Sequence, residues 1–395
     1  MFADKYLEKN QHKILINELP EEAPGIIVVI PCLRETELTN TLNSLNACDL
    51  PKCKVEVILL INQSEVADAD TIRLNKQTKT DAEKWIGANP KSGILFYVVG
   101  PISLKKKWAG AGLARKKGMD EAIRRFNLND NKNGILVSLD ADTLVAKNYL
   151  IEIEKHFREN PKQVGATVAF EHQKQQLDEK HRRGIELYEL YLNYYKQALH
   201  YCGYPYSLFT IGSAFAVKAE AYVKRGGMNR RQAGEDFYFL QNLVQIGRVG
   251  EIISTKVYPS ARLSNRVPFG TGPILQKWMK GEEDLSLTYN FEAFKNLRQF
   301  FAQKDRLFKI QQNDYLEFVN HLNEPVKEFL ELDQFCVELE DLNNNCSRLE
   351  TFQVRFFQKF NAFKILKFLN FAHEKFYRKA DLLQQIKLLN REQKD

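Results

Sequence analysis

Four short apolar runs, separated by stretches of helical periodicity, constrain this chain most. Gly25 to Cys32 reads G-I-I-V-V-I-P-C, Val55 to Ile61 reads V-E-V-I-L-L-I, Ile94 to Val99 follows, and Ile135 to Asp142 reads I-L-V-S-L-D-A-D. Near-continuous apolar runs of this length suit strands covered on both faces, as in a parallel sheet. Between them, Leu38, Leu42 and Leu45 share a helix face, a helical stretch runs through Trp85, and Gly110 to Phe126 reads as a basic helix. The alternation predicts an α/β domain whose mostly parallel sheet is built from right-handed crossovers and flanked by helices.

Further strand candidates follow at Val164 to Phe170 and within 251–273, with mixed apolar and small residues over Phe209 to Val217. A polar N-terminal segment carries a helix or strand near Lys13 to Leu19. Leu177 to Tyr201 reads as a long helix holding Tyr188, Tyr191, Tyr194, Tyr195 and Tyr201, and a helix opens at Gly234-Glu235-Asp236 and runs to about Ile246. From about Glu282 glycine almost vanishes and Phe, Leu, Lys and Glu recur at helical spacing. Phe352, Phe356, Phe360 and Phe363 mark one face of a single long helix. The expected organisation is a catalytic domain over 1–284 and an all-helical C-terminal region over 285–395.

The fourth run ends in two carboxylates, Asp140 and Asp142, at the carboxyl edge of the sheet, where open α/β sheets bind ligands. Such a pair suits a hard divalent cation bridging to phosphates, although Asp-x-Asp is also a common solvated turn. No G-x-G-x-x-G follows the first strand and there is no Walker A sequence, which disfavours dinucleotide oxidoreductases and P-loop enzymes. The six cysteines form no C-x-x-C pair and read as reduced thiols of a cytoplasmic protein. No apolar signal core opens the chain, and no apolar run is long enough to span a bilayer. The net charge of +7 fits anionic small substrates, a membrane surface or a nucleic acid without choosing among them.

The order of motifs resembles the family 2 glycosyltransferases, which have the GT-A fold. The resemblance runs from about Gly25 to Gly272. It rests on V-V-I-P-C-L-R-E on the first strand, A-G-A-G-L-A-R-K-K-G before the central strand, then L-D-A-D, G-G-M-N and G-E-D-F. It implies a nucleotide-sugar donor held by the first half of the domain, with Pro31 and Glu35 on the nucleotide side. Asn62 stands where the family carries an acid; its amide oxygen still accepts a hydrogen bond from an imide N–H. A UDP-sugar is favoured, and a GDP-sugar is also compatible. Arg115 matches an arginine near the nucleotide, its bland alternative being a solvated helix face shared with Lys116 and Lys117.

The same resemblance makes Asp142 a direct ligand of Mn²⁺ or Mg²⁺, with Asp140 on the metal or the ribose. A third ligand, often a later histidine, has no counterpart. Arg262 and Arg266 in Y-P-S-A-R-L-S-N-R-V-P-F-G-T-G either clamp the diphosphate or pair with surface carboxylates. Asp236 matches the general base of inverting transfer, with Glu235 supporting it or touching the acceptor; helix capping serves both acids equally well. Processive members carry Gln-x-x-Arg-Trp after the base. Here only Lys277-Trp278 is similar, with Ile274 in place of Gln, so a single transfer is expected.

The reading implied is metal-dependent, inverting transfer of one sugar to a carbohydrate or lipid-linked hydroxyl acceptor, in cell-envelope polysaccharide or glycoconjugate synthesis. Glu171, His172 and the tyrosine-rich helix either line the acceptor pocket or pack structurally. The C-terminal Phe/Lys helices either form a bundle or present a basic amphipathic surface to anionic lipid at the inner face of the membrane; no nucleic-acid module accompanies the charge. A catalytically degenerate domain of the same fold and a sugar-phosphate nucleotidyltransferase are the alternatives.

Overall fold

The computed structural model describes residues 1–20, 22–91, 93–230, 234–264 and 270–394. The first elements are α1 (Asp4–Lys9), β1 (Pro24–Cys32), α2 (Leu38–Asn46), β2 (Lys54–Ser64), α3 (Ala69–Ala88), β3 (Ile94–Leu104), α4 (Ala111–Leu128), β4 (Ile135–Ser138), β5 (Leu144–Val145) and α5 (Tyr149–Glu159). Then come β6 (Gly165–Phe170), α6 (Glu179–Tyr201), β7 (Phe215–Lys218), α7 (Ala219–Lys224), α8 (Glu235–Leu243), β8 (Val249–Tyr258) and α9 (Thr271–Lys280). Two compact units result: Met1–Leu177 with Thr210–Gln276, and Asp178–Phe209 with Lys277–Asp395.

In the first unit eight strands form one sheet in the order β3-β2-β1-β4-β7-β6-β8-β5. The strands from β3 to β4 pair in parallel. Beyond them β7 runs antiparallel to both β4 and β6, while β6 and β8 are parallel and β5 is antiparallel to β8. This is the expected α/β class with a mostly parallel sheet. The side-chain alternation of β1 explains why its run is apolar throughout. Ile26, Val28 and Ile30 enter a core shared with Leu42 of α2, Trp85 of α3 and Ile153 of α5. Ile27 and Val29 enter the opposite core with Met119, Ile123 and Phe126 of α4 and Phe239 of α8. At Gly118 a Cβ would come within 2.4 Å of Val29 Cγ1, so glycine lets α4 lie directly against β1. No element forms at Lys13 to Leu19; the N-terminal helix is α1 instead.

The second unit draws its boundary differently from composition. The tyrosine-rich α6 packs with the C-terminal helices: Tyr194 donates to Tyr289 O at 2.9 Å and meets Phe294 edge-on at 5.8 Å. These helices are α10 (Phe291–Ala302), α11 (Gln312–Asn320), α12 (Glu324–Leu332), α13 (Phe335–Asn344), α14 (Leu349–Lys359), α15 (Ala362–Lys375) and α16 (Leu382–Glu392). Phe300, Phe301, Phe335, Phe356 and Phe360 form their aromatic core. The single helix expected over the phenylalanine run is two. Asn361 accepts from the backbone N–H groups of Phe363 and Lys364, both at 3.1 Å, and starts α15 afresh. Phe352, Phe356 and Phe360 are consequently buried while Phe363 is exposed. Trp278 is structural here: its indole N–H donates to Lys180 O at 2.8 Å, and its ring lies against Gly184. Among the described residues no helix is long and apolar enough to cross a membrane.

Candidate active site

The site lies at the carboxyl ends of the first four sheet strands. After Ser138 the chain leaves β4, and a backbone turn from Thr143 N–H to Asp140 O (3.1 Å) presents Asp140 and Asp142. Thr41 Oγ1 holds the Ala141 carbonyl at 2.8 Å. Gln173 Nε2 donates to the carbonyls of Asp142 (2.9 Å) and Tyr258 (2.7 Å), tying this turn to the end of β8. Nothing in the sequence marks Gln173 among its glutamine and lysine neighbours, and its role is visible only in three dimensions.

Two arginines hold four carboxylates, and a fifth, Asp236, lies near Arg115. Arg262 donates to both oxygens of Glu35, at 2.8 and 2.9 Å, and its Nη2 lies 2.8 Å from Asp142 Oδ2. Arg115 is buried and donates to Asp140 and to Glu235. It therefore faces the two acidic motifs, neither a solvated helix surface nor the cleft described below. Lys116 is buried as well, on Asp120. Gly234, with φ of 69°, makes the left-handed turn that starts α8 and aims Glu235 inward. Asp236 beside it accepts from its neighbour's N–H, Phe237, at 2.7 Å.

Among the described residues, five acids face two guanidiniums here. Burial pushes the Asp236 carboxyl up to about 7, aided by Glu235 and opposed by Arg115. Burial likewise pushes Asp142 up to about 7, opposed by Arg262 and aided by Asp140 and Glu35. Among the described residues no three His, Cys, Asp or Glu side chains form a metal shell. Two adjacent carboxylates in a locally anionic site nevertheless fit a divalent cation that takes its remaining oxygens from a diphosphate and water.

A cleft of about 690 Å³ opens beside these acids, lined among others by Arg34, Asn62, Asp68, Thr71, Gly110, Arg262 and Ser264. Arg262 thus joins the cleft to Asp142. Asn62 is buried at the end of β2; its Nδ2 donates to Cys32 O at 2.9 Å, and Oδ1 has no partner among the described residues. A buried acceptor left open beside a cleft costs free energy unless a ligand's donor fills it. Asp68 caps α3 by accepting from Thr71 N–H at 2.6 Å. Pro31 is buried within β1, and Arg266 lies outside the described residues.

Glu171 pairs with Lys256 at 3.2 Å, and His172 is buried with Nε2 3.2 Å from Thr271 Oγ1. Both line a smaller cavity of about 260 Å³ with Gln173, Lys174 and Tyr258. Of the residues expected from sequence, the structure gathers Glu35, Asp140, Asp142, Glu235, Asp236, Arg115 and Arg262 into one network, with Asn62 in the adjoining cleft.

No protein-family model matches the chain, and no curated protein matches it. Similar solved structures include S. aureus TarS 1–349 in complex with UDP-GlcNAc. It is 11% identical, the match covers 85% of this chain and 91% of that one, and the TM-score is 0.44. The same protein in complex with UDP is 10% identical over 85% and 91% at a TM-score of 0.40. A mannosyltransferase, PcManGT from Pyrobaculum calidifontis in complex with GDP-Man and Mn²⁺, is 14% identical over 88% and 93% at 0.38.

Proposed function

We propose that this protein is a glycosyltransferase that moves one sugar from a nucleotide-sugar donor to a hydroxyl acceptor with inversion, assisted by a divalent cation. The observation that carries this reading is the network of Glu35, Asp140, Asp142, Glu235 and Asp236 around Arg115 and Arg262, set beside a cleft of nucleotide size. The base and ribose occupy the cleft, where Asn62 Oδ1 accepts from an imide N–H. Uracil and guanine offer that donor; adenine and cytosine offer a lone pair at the equivalent ring nitrogen.

Asp140 and Asp142 hold Mn²⁺ or Mg²⁺, which when bound supplies positive charge to the departing diphosphate. Arg262 turns from Glu35 and Asp142 towards that diphosphate, where its planar fork suits two phosphate oxygens. Asp236 is the base. One of its oxygens accepts from Phe237 N–H, and the other takes the proton of the acceptor hydroxyl as that oxygen attacks the anomeric carbon. Its raised proton affinity suits this task near neutral pH. Arg115 holds Glu235 and Asp140 in register, so the metal-binding turn and the base helix share one buried cation.

The test is product analysis. Incubation with UDP- and GDP-sugars, Mn²⁺ and a panel of glycan acceptors should release nucleoside diphosphate. Release of pyrophosphate from nucleoside triphosphate and sugar phosphate would instead identify a nucleotidyltransferase. A binding domain without turnover is the second reading, favoured by the arginine already seated on each acid of the Asp140–Asp142 pair. Nucleotide-sugar binding with no diphosphate release from any acceptor would select it.

A further inference from the structure

The smaller cavity, of about 260 Å³, takes no part in the chemistry above, yet the sheet gives it a defined place. Strand β7 runs antiparallel to both β4 and β6, so β4 and β6 point the same way, and β8 runs with β6. The chain leaving β6 supplies Glu171 to Lys174, and β8 ends in Tyr258. The cavity therefore shares the sheet edge at which β4 presents Asp140 and Asp142. In the strand order the larger cleft lies on one side of β4, at β1 and β2, and this cavity lies on the other. The turn after β4 borders the cavity directly. Leu144, two residues beyond Asp142, lines it, and Gln173 in its wall donates from Nε2 to Asp142 O at 2.9 Å and Tyr258 O at 2.7 Å.

We infer that this cavity is a subsite for one neutral sugar ring, a unit of the acceptor. The word acceptor rests on the glycosyl-transfer reading, but binding of the ring does not depend on turnover. Size, rigidity and polarity carry the inference. A volume of about 260 Å³ is below the ~300 Å³ at which pockets for larger ligands begin, so it admits one ring and no nucleotide. His172 fixes one wall: it is buried, edge-on to Phe170 at 5.6 Å, with Nε2 3.2 Å from Thr271 Oγ1. Gln173 spends its side-chain N–H groups on the two carbonyls, which leaves Oε1 to accept. Neither that oxygen nor the Tyr258 hydroxyl has a partner among the described residues. Tyr258 adds an aromatic body beside its hydroxyl, a combination that suits a ring with C–H faces and hydroxyl edges. The lining holds one carboxylate and one ammonium, Glu171 and Lys174, 4.0 Å apart. Paired charges of this kind hydrogen-bond hydroxyls without favouring a phosphate or a carboxylate.

The experiment uses the full chain and saturation-transfer NMR with the methyl glycosides of glucose, galactose, mannose and N-acetylglucosamine as probes. The proteins are wild type, Tyr258→Phe and Glu171→Gln. At least one glycoside should bind the wild type. Its affinity should fall about threefold or more in Tyr258→Phe and about tenfold in Glu171→Gln, hydrogen bonds to charged groups being the stronger. Each substitution removes one polar group and leaves the backbone pairing of β6 with β8 in place, so melting midpoints near wild type separate lost binding from lost folding. Saturating UDP or GDP should leave the glycoside signal intact, because the cavity and the larger cleft stand on opposite sides of β4. Three results would overturn the inference: no glycoside bound, binding indifferent to both substitutions, or displacement by nucleotide, which would put the ring in the cleft. The donor reading fails separately, if neither UDP nor GDP binds while the glycoside still does.

Discussion

Arg262 grips both oxygens of Glu35 while its second terminal nitrogen lies 2.8 Å from Asp142, across 227 residues of chain between Arg262 and Glu35. One guanidinium thereby links the end of β1, the turn after β4 and the segment after β8. Arg115 does the same between Asp140 and Glu235 on the other side. Among the described residues the two arginines compensate four of the site's carboxylates.

Removing Arg115 leaves Asp140 and the buried Glu235 without their cation. Uncompensated buried charge costs about 3–5 kcal/mol, so Arg115→Met should lower the denaturation midpoint substantially, with Arg115→Lys intermediate. Thermal melts of the two variants check this. A midpoint within a degree of wild type for Arg115→Met would contradict it.

Asp236 carries two pH signatures. As base it must be ionised, so kcat/KM should rise with pH through about 7 and level off above. Its carboxyl holds a proton more tightly folded than unfolded. Its contribution to stability is therefore present below its ordinary value of 3.8 and lost as pH rises through about 7. Asp236→Asn should slow turnover by about 10²–10⁴-fold while melting higher than wild type at pH 8, an advantage that shrinks to nothing below pH 4. Parallel rate and melting profiles read both.

Asn62 supplies base selection in this scheme. Asn62→Leu removes both the open acceptor and the donor to Cys32 O. The preference for uracil or guanine nucleotides over cytosine and adenine ones should fall about tenfold or more. Competition binding with the four nucleoside diphosphates measures it, and an unchanged ranking would remove Asn62 from the donor site.

Asn361 separates two helices that periodicity alone joins. Asn361→Ala should cost about 1 kcal/mol as a lost N-cap, visible as a lower urea midpoint, whereas a neutral result would mean that packing of Phe356 and Phe360 alone fixes the break.

These residues also mark what was legible in the chain. Strands β1, β2 and β4 were, because burial on both faces forces apolar runs that no helix requires; the edge strand β3 was legible from its apolar run although it is only partly buried. The acids were, because D-A-D and G-E-D are local motifs. The partners of those acids were only partly so. Arg262 carried a motif-level expectation, but its grip on Glu35 depends on a crossover of the whole sheet. Arg115 carried an expectation beside the nucleotide, with a solvated helix face as its alternative, because periodicity does not reveal which lysines and arginines find buried acids. Gln173 and the affiliation of α6 with the C-terminal helices had no local signal: one is a carbonyl bridge, and the other depends on which aromatic surface the tyrosines meet. The Asn361 cap is hidden in the sequence because the phenylalanine spacing across it stays helical.

Calorimetric titration of UDP and GDP, with and without Mn²⁺, into wild type and Asp142→Ala tests the central claim most directly. Binding of at least one nucleotide that strengthens with Mn²⁺ and loses that dependence in Asp142→Ala is the predicted result. A folded wild type that binds neither nucleotide, or binds equally well with Asp142 removed, would contradict it.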